Sequence, residues 1–374
     1  MIVKELWNFK YNLPILGIEL ADIDGNGQIE ILAYTRNGVM LVISLIGKLL
    51  HEKTISKDLP IWHLKVYDID NDGKNEIILG GMDGLLRVFK PNAKNNFELL
   101  WAHKFDSSIS GIIIGDINND KIIEVIACSL DKTLRILDPF TGNLIWGQVF
   151  EEGIGEMIIF MNDKMGLKKE IIACANDGTI RSFNGTNGKL LWYKKYSNKL
   201  RSITYMNTIK GTLVICGGDD KKLHIINKKS KNEIKTKEFN NYVWKCISYP
   251  YLIYNKLLVS SYSFDYLNDA VPIEKIEFTS NIICLNEFLE VIWETIGFNI
   301  EVLRIIVNQD NLFILAGTTR GELLIIEEKT GKILCIKKYH SCINMIQFLK
   351  EKKLIFSCHD DGTIRMSKLK ESLN

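Results

Sequence analysis

The sequence predicts an all-β fold in which a four-stranded antiparallel sheet is repeated eight times. Three observations carry that prediction. The first is a regular beat. Acidic loops reading DIDGNGQIE (22–30), DIDNDGKNE (68–76) and DINNDKIIE (116–124) return about every 45 residues, and each runs into an apolar strand. The second is the strand–turn–strand unit behind each beat. IEILAYTRNGVMLVIS, NEIILGGMDGLLRVFK, IEVIACSLDKTLRILD and KEIIACANDGTIRSFN are followed later by TLVICGGDDKKLHIIN, LFILAGTTRGELLIIE and LIFSCHDDGTIRMSKL. Turns such as Asp83-Gly84, Asp177-Gly178 and Asp361-Gly362 are strong hairpin signals, because Gly accepts the positive φ such turns require. The third is a further strand after a second turn: IGKLLHEKTI (46–55), TGNLIWGQVF (141–150), NGKLLWYKKY (187–196) and TGKILCIKKY (330–339).

Each unit opens on a strand such as ISGIIIGD (109–116) or RSITYM (201–206), so a unit has four strands and no helical period. Repeats of this length and content are the blades of a β-propeller. Seven contiguous blades are expected near 15–55, 59–105, 108–150, 153–197, 199–239, 242–296 and 299–340. The eighth, 342–370, has only three strands. Its outer strand is found at the other end of the chain, where VKELWNFKY (3–11) aligns Trp7 with Trp101, Trp146 and Trp192. Ring closure by this N-terminal strand removes the last open sheet edges. The expected organisation is therefore one eight-bladed propeller domain, 1–374.

The 374 residues are 46% apolar and 25% charged, with a net charge of +2. That balance points to no nucleic-acid or membrane-surface partner. No apolar run reaches the ~18 residues of a membrane helix. The start, MIVKELWNFKYNL, has no signal-peptide h-region. The eight cysteines form no CxxC pair, and most fall in apolar strands, as Cys128, Cys174, Cys216, Cys284 and Cys358 do. Reduced, buried thiols in a cytoplasmic protein are expected.

The acidic loops offer hard oxygen ligands at positions 1, 3, 5 and 9, the donor type calcium requires. Loop one presents Asp22, Asp24, Asn26 and Glu30, with the Gln28 carbonyl as backbone ligand. Loop two presents Asp68, Asp70, Asp72 and Glu76 with the Lys74 carbonyl, and loop three Asp116, Asn118, Asp120 and Glu124 with the Ile122 carbonyl. Gly27 and Gly73 permit a sharp turn where loop three has Lys121. Two calcium sites and a weaker third are expected. The competing reading is an acidic turn whose side chains cap their own amides. In blade four, FMNDKMGLKKE (160–170), only Glu170 of the pattern survives.

The D-x-D-x-[DN]-G-x-x-E loops resemble the FG-GAP/VCBS repeats of integrin-alpha-type propellers, and the TG-x-L-x-W strands resemble quinoprotein-like (PQQ-type) blades. The stretch DIDNDGKNEIILGGMDGLLRVFK (68–90) is similar to propellers of Bardet-Biedl complex subunits and of the FG-GAP protein of the KICSTOR assembly. The resemblance implies cation loops joining first and second strands, on the face opposite the usual ligand surface.

Other recurring residues read as scaffold. Asp83/Arg87, Asp131/Arg135, Asp177/Arg181 and Asp361/Arg365 repeat as D-x-x-x-R, expected as a pair inside each blade rather than an anion-binding ring. The tryptophans at 7, 101, 146, 192 and 293 are expected to pack between blades. The histidines lack metal-ligand spacing, and no Ser-His-Asp, GxSxG or P-loop pattern occurs. Blade six has a long second turn (263–281) mixing aromatics with acids, a candidate contact loop. The function expected is a non-enzymatic protein-interaction scaffold, a subunit of an intracellular assembly of trafficking or signalling type. It would have protein partners and no small-molecule substrate. The alternatives are a quinoprotein-type dehydrogenase and a cell-surface adhesion module. The first needs a quinone pocket and export, and the second needs an extracellular setting that the thiols argue against.

Overall fold

A computed structural model of the chain describes residues 1–92, 96–161, 169–251, 254–264, 279–308 and 311–370. It contains eight four-stranded antiparallel sheets, the blades of an eight-bladed β-propeller. The chain divides into two compact units, one of Met1–Lys104 with Asn299–Asn374 and the other of Phe105–Phe298. In the first unit, blade one consists of Ile15–Ala21, Glu30–Thr35, Val39–Ser44 and Leu49–Thr54. Blade eight consists of Ile343–Leu349, Leu354–His359, Thr363–Lys370 and, as its outer strand, Ile2–Lys10. Blades two and seven complete this unit, and blades three to six form the other.

Within a blade, burial follows position. The second strands Glu30–Thr35, Glu76–Gly81 and Glu124–Ser129 are buried along their whole length, whereas the outer strand Leu49–Thr54 exposes every second residue or more. Blade one shows the reason: Glu30–Thr35 is buried on both faces because one meets blade eight and the other blade two. Ile31, Ala33 and Leu41 face Phe356, Cys358 and Ile364 of blade eight. Leu32, Met40 and Val42 pack with Ile61, Leu64, Ile77 and Leu79 of blade two. Each such aliphatic side chain contributes about 1.5–3 kcal/mol on burial. Every first strand also carries a register shift near its start, as between Ile15 and Gly17 or Ile61 and His63.

The N-terminal strand pairs with the last strand from Ile2↔Lys370 to Lys10↔Thr363. Tyr11 N–H continues the ladder to Gly362 O at 2.8 Å, and Arg365 reaches Glu5 at 3.4 Å. Trp7 donates through Nε1 to Leu45 O of blade one at 2.9 Å, and Trp146 of blade three donates to Gly185 O of blade four at 2.8 Å. Gly188 shows how close this approach is. A Cβ there would lie 2.5 Å from the Trp146 ring, and φ is +68°, so both space and conformation demand glycine. These two tryptophans therefore pack between blades, as their repeated position implies.

All eight cysteines are free, and Cys128, Cys174, Cys216, Cys246, Cys284 and Cys358 are buried. Burial pushes the Cys128 thiol up to about 12. Of the 263–281 turn, residues 265–278 lie outside the described residues, as do 162–168 of blade four's degenerate loop.

Candidate metal centre

Each acidic loop is built on the same four supports. An isoleucine at its second position (Ile23, Ile69, Ile117) is buried under the loop. The amide of that isoleucine donates to Oε2 of the closing glutamate, at 3.2 Å for Glu30, 2.8 Å for Glu76 and 2.9 Å for Glu124. The first aspartate caps later amides: Asp22 accepts from Asn26 and Gly27, and Asp68 from Asp72 and Gly73. At the fifth position Asn26 Oδ1, Asp72 Oδ1 and Asp120 Oδ1 accept from the amides of Gln28, Lys74 and Ile122 at 2.7, 2.9 and 2.7 Å. The competing reading of self-capping turns thus describes the loops well: in loop one both oxygens of Asp22 and both of Asp24 accept from Asn26 or Gly27.

Two loops gather carboxylates. Ligand oxygens of Asp22, Asp24 and Glu30 lie within 4.8 Å of one another, as do those of Asp68, Asp70 and Glu76. In loop three Asn118 occupies the third position and donates to Asp120 at 2.9 Å and to Glu124 at 2.7 Å. Its turn also differs. Lys121 adopts φ +72° where Gly27 and Gly73 stand at +83° and +84°. A lysine in that region is strained by about 1 kcal/mol, so Lys121→Gly should stabilise the protein by about that amount. An unchanged or lowered melting temperature would show that the Lys121 side chain makes up the difference.

The burial that closes these loops also moves their titrations. Burial raises Glu30 above the usual carboxylate range, with Asp24 and Asp22 adding to the rise. Burial likewise pushes Glu124 up to about 7. At Asp116 burial acts upward, but the Asn119 amide and the Lys169 ammonium outweigh it and the pKa falls.

Sequence reasoning missed the lysines. Lys90, at the end of blade two's third strand, inserts its ammonium into loop two, bonding Asp70, meeting Asp72 at 2.8 Å and approaching Glu76 at 3.5 Å. Lys169 of blade four bonds the carbonyl of Asp116 and lies 3.4 Å from its carboxylate. Lys228 of blade five holds Glu170 at 2.7 Å. No local signal marks them, because each is brought to its loop by the fold rather than by spacing within it.

The D-x-x-x-R pairs form inside blades, at 2.6 Å for Asp83–Arg87, 3.2 Å for Asp131–Arg135, 3.1 Å for Asp177–Arg181 and 3.7 Å for Asp361–Arg365. The guanidinium carbons of Arg135 and Arg181 lie 4.3 Å from the ring centres of Phe105 and Phe150. Blade five substitutes an imidazole. His224 bridges Asp220 and Glu233 at 2.7 Å on each nitrogen, and its ring lies 3.8 Å from that of Tyr196. Among the described residues one serine–histidine pair forms, Ser357–His359 at 2.9 Å. Both residues are buried, and burial holds His359 down to about 4, so neither reaches a substrate.

The family described as KICSTOR complex protein kaptin matches residues 50–143, and the lambda-carrageenase β-propeller domain matches residues 159–248. No curated protein matches the chain in sequence. Solved structures match along nearly its whole length. Sqt1 of Saccharomyces cerevisiae superposes with a TM-score of 0.78 at 11% identity, covering 99% of this chain and 100% of that one. The computationally designed Ika8 protein gives 0.74 at 14%, covering 98% and 100%. BamB of Moraxella catarrhalis gives 0.66 at 12%, again covering 98% and 100%. At such identities these likenesses define the propeller fold. The kaptin match includes the whole of blade two's loop and of loop three, and the 68–90 stretch already noted.

Proposed function

We propose that this chain is a non-enzymatic interaction scaffold, a propeller subunit of an intracellular protein assembly. The observation that carries the reading is the match of residues 50–143 to a family described as a complex protein. The geometry supports it. The recurring polar residues are committed to turns, to Asp–Arg pairs inside blades or to the loops, and the Ser357–His359 pair is buried. Purification of the tagged protein from its native cells should bring down a stoichiometric partner that comigrates on gel filtration. A protein that elutes as a free monomer, with no stoichiometric companion, would overturn the reading.

The reading includes calcium. Loops one and two supply clustered carboxylate oxygens, and loop three is the weaker because Asn118 and Lys121 replace an acid and a glycine. Lys90 competes for the same oxygens in loop two, so loop one should bind first. Calorimetry on chelator-treated protein should resolve one tighter site lost in Asp24→Ala and a second lost in Asp70→Ala. The second should strengthen in Lys90→Met. Absence of any binding heat at millimolar calcium would remove metal from the account.

A further inference from the structure

Four blades carry the same glutamate at or near the head of the second strand, and in three of them another side chain of the protein meets it. Glu76 Oε1 faces Lys90 Nζ at 3.5 Å, Glu124 Oε1 accepts from Asn118 at 2.7 Å, and Glu170 Oε1 accepts from Lys228 at 2.8 Å. Glu30 is the exception. It is 7% exposed, its Oε2 accepts from the Ile23 amide, and no described residue donates to its Oε1. The position that sends Lys90 into loop two is held in blade one by Ser44, whose Oγ turns instead to the Lys48 amide at 3.1 Å. Loop one thus gathers three carboxylates with no ammonium among the described residues to balance them.

In place of that ammonium there is a cavity of about 780 Å³. Asp24 and Glu30 border one side, and Val42, Leu45, Phe97 and Leu349 supply apolar wall. Glu351 and Lys352 also border it and cancel in charge, and Lys352 makes no ion pair with the loop. A carboxylate cluster without an ammonium, beside an apolar hollow, selects a cation on an apolar stem. Blade two shows which cation the loop geometry takes.

We propose that this cavity docks a lysine-bearing segment of a partner protein. The partner's ammonium takes in loop one the place that Lys90 takes in loop two, and apolar neighbours of that lysine pack on Val42, Leu45, Phe97 and Leu349. The proposal rests on the interaction-scaffold reading and adds the chemistry of the partner. Calcium would use the same oxygens, so metal and segment exclude each other and the contact is calcium-sensitive.

The test is a titration of acetyl-Leu-Lys-Phe-amide into the chelator-treated full chain, with the Nε-acetylated tripeptide as the neutral control. The charged peptide should bind at least about tenfold more tightly than the neutral one, a difference of about 1.4 kcal/mol. Glu30→Gln should weaken it by a similar factor. Ser44→Lys, which supplies the ammonium from within, should abolish binding while the melting temperature holds or rises. Millimolar calcium should compete. Equal binding of the two peptides, no binding of the charged one at millimolar concentration, or full binding by folded Ser44→Lys would each overturn the proposal. Calcium uptake without peptide binding would reduce loop one to a metal site only. If the peptide fails while a native partner still copurifies, the scaffold reading stands and this pocket is removed from it.

Discussion

Deleting residues 1–12 is expected to abolish the folded monomer. The lost strand pairs with Thr363–Lys370 along its whole length. It also buries Val3, anchors Trp7 to Leu45 and pairs Glu5 with Arg365. Burial of Val3 with the half-burial of Trp7 and Phe9 is worth about 3–5 kcal/mol, a large fraction of the net stability of many domains. What remains is a strand with its hydrogen-bonding edge open, a template for self-association. The truncated chain should elute as aggregate or melt far below the full chain, and a synthetic 1–12 peptide added in trans should recover part of the loss. A monomeric truncation with an unchanged melting temperature would show that the last sheet stands on three strands.

A second large effect is expected at His224, and it should depend on pH. Burial works against a charged imidazole there, but the bonds to Asp220 and Glu233 outweigh it, and its pKa is raised. The groups facing it are those two carboxylates, the Tyr196 ring across the blade boundary and the Cys216 thiol on the paired strand. The raised folded pKa sets the sign. The stabilisation is fully present below the unfolded histidine value of about 6.5 and is lost as pH rises through the higher folded value. Asp220 is shifted the other way. Burial raises it, but the His224 bond outweighs burial and its pKa falls. Its share is therefore lost only in acid, as pH drops through that lowered value. The melting temperature of the wild type should decline as pH rises above about 6.5 more steeply than that of His224→Arg, which keeps a permanent charge. His224→Ala leaves two carboxylates facing each other without a cation and should cost about 2–4 kcal/mol near neutrality. Parallel pH profiles for wild type and His224→Arg would show that the imidazole stays neutral and does not act as a switch.

The contrast between what was legible and what was not follows one physical line. Blade boundaries, the Asp-Gly hairpins, the acidic loops and the offset N-terminal strand could all be read, because each is local or repeats at a fixed period. The Asp–Arg pairs were readable for the same reason, being four residues apart on adjoining turn and strand. Ionic contacts across a blade boundary were not. Lys169 comes from the neighbouring blade to bond Asp116, and Lys228 reaches Glu170 across 58 residues. Lys90 stands 20 residues from Asp70 and meets it only once the third strand is in register. His224 sits where other blades carry arginine, and the substitution shows only when Tyr196 is seen against it. The cavity beside Glu30 belongs to the same class, since it is defined by a lysine that blade two has and blade one lacks.

Ring closure by the N-terminal strand has a consequence for how the chain is made. Ile2–Lys10 is synthesised well before its partner Thr363–Lys370, with seven whole blades between them. At ribosomal rates of about 5–20 residues per second, the first strand waits roughly 20–70 seconds for its mate. Throughout that interval a segment carrying Leu6, Trp7 and Phe9 has no ladder to join, while blade after blade is completed behind it. The strand that precedes every other blade is thus among the last to find its place, and every nascent copy on a polysome displays the same unclaimed strand to its neighbours.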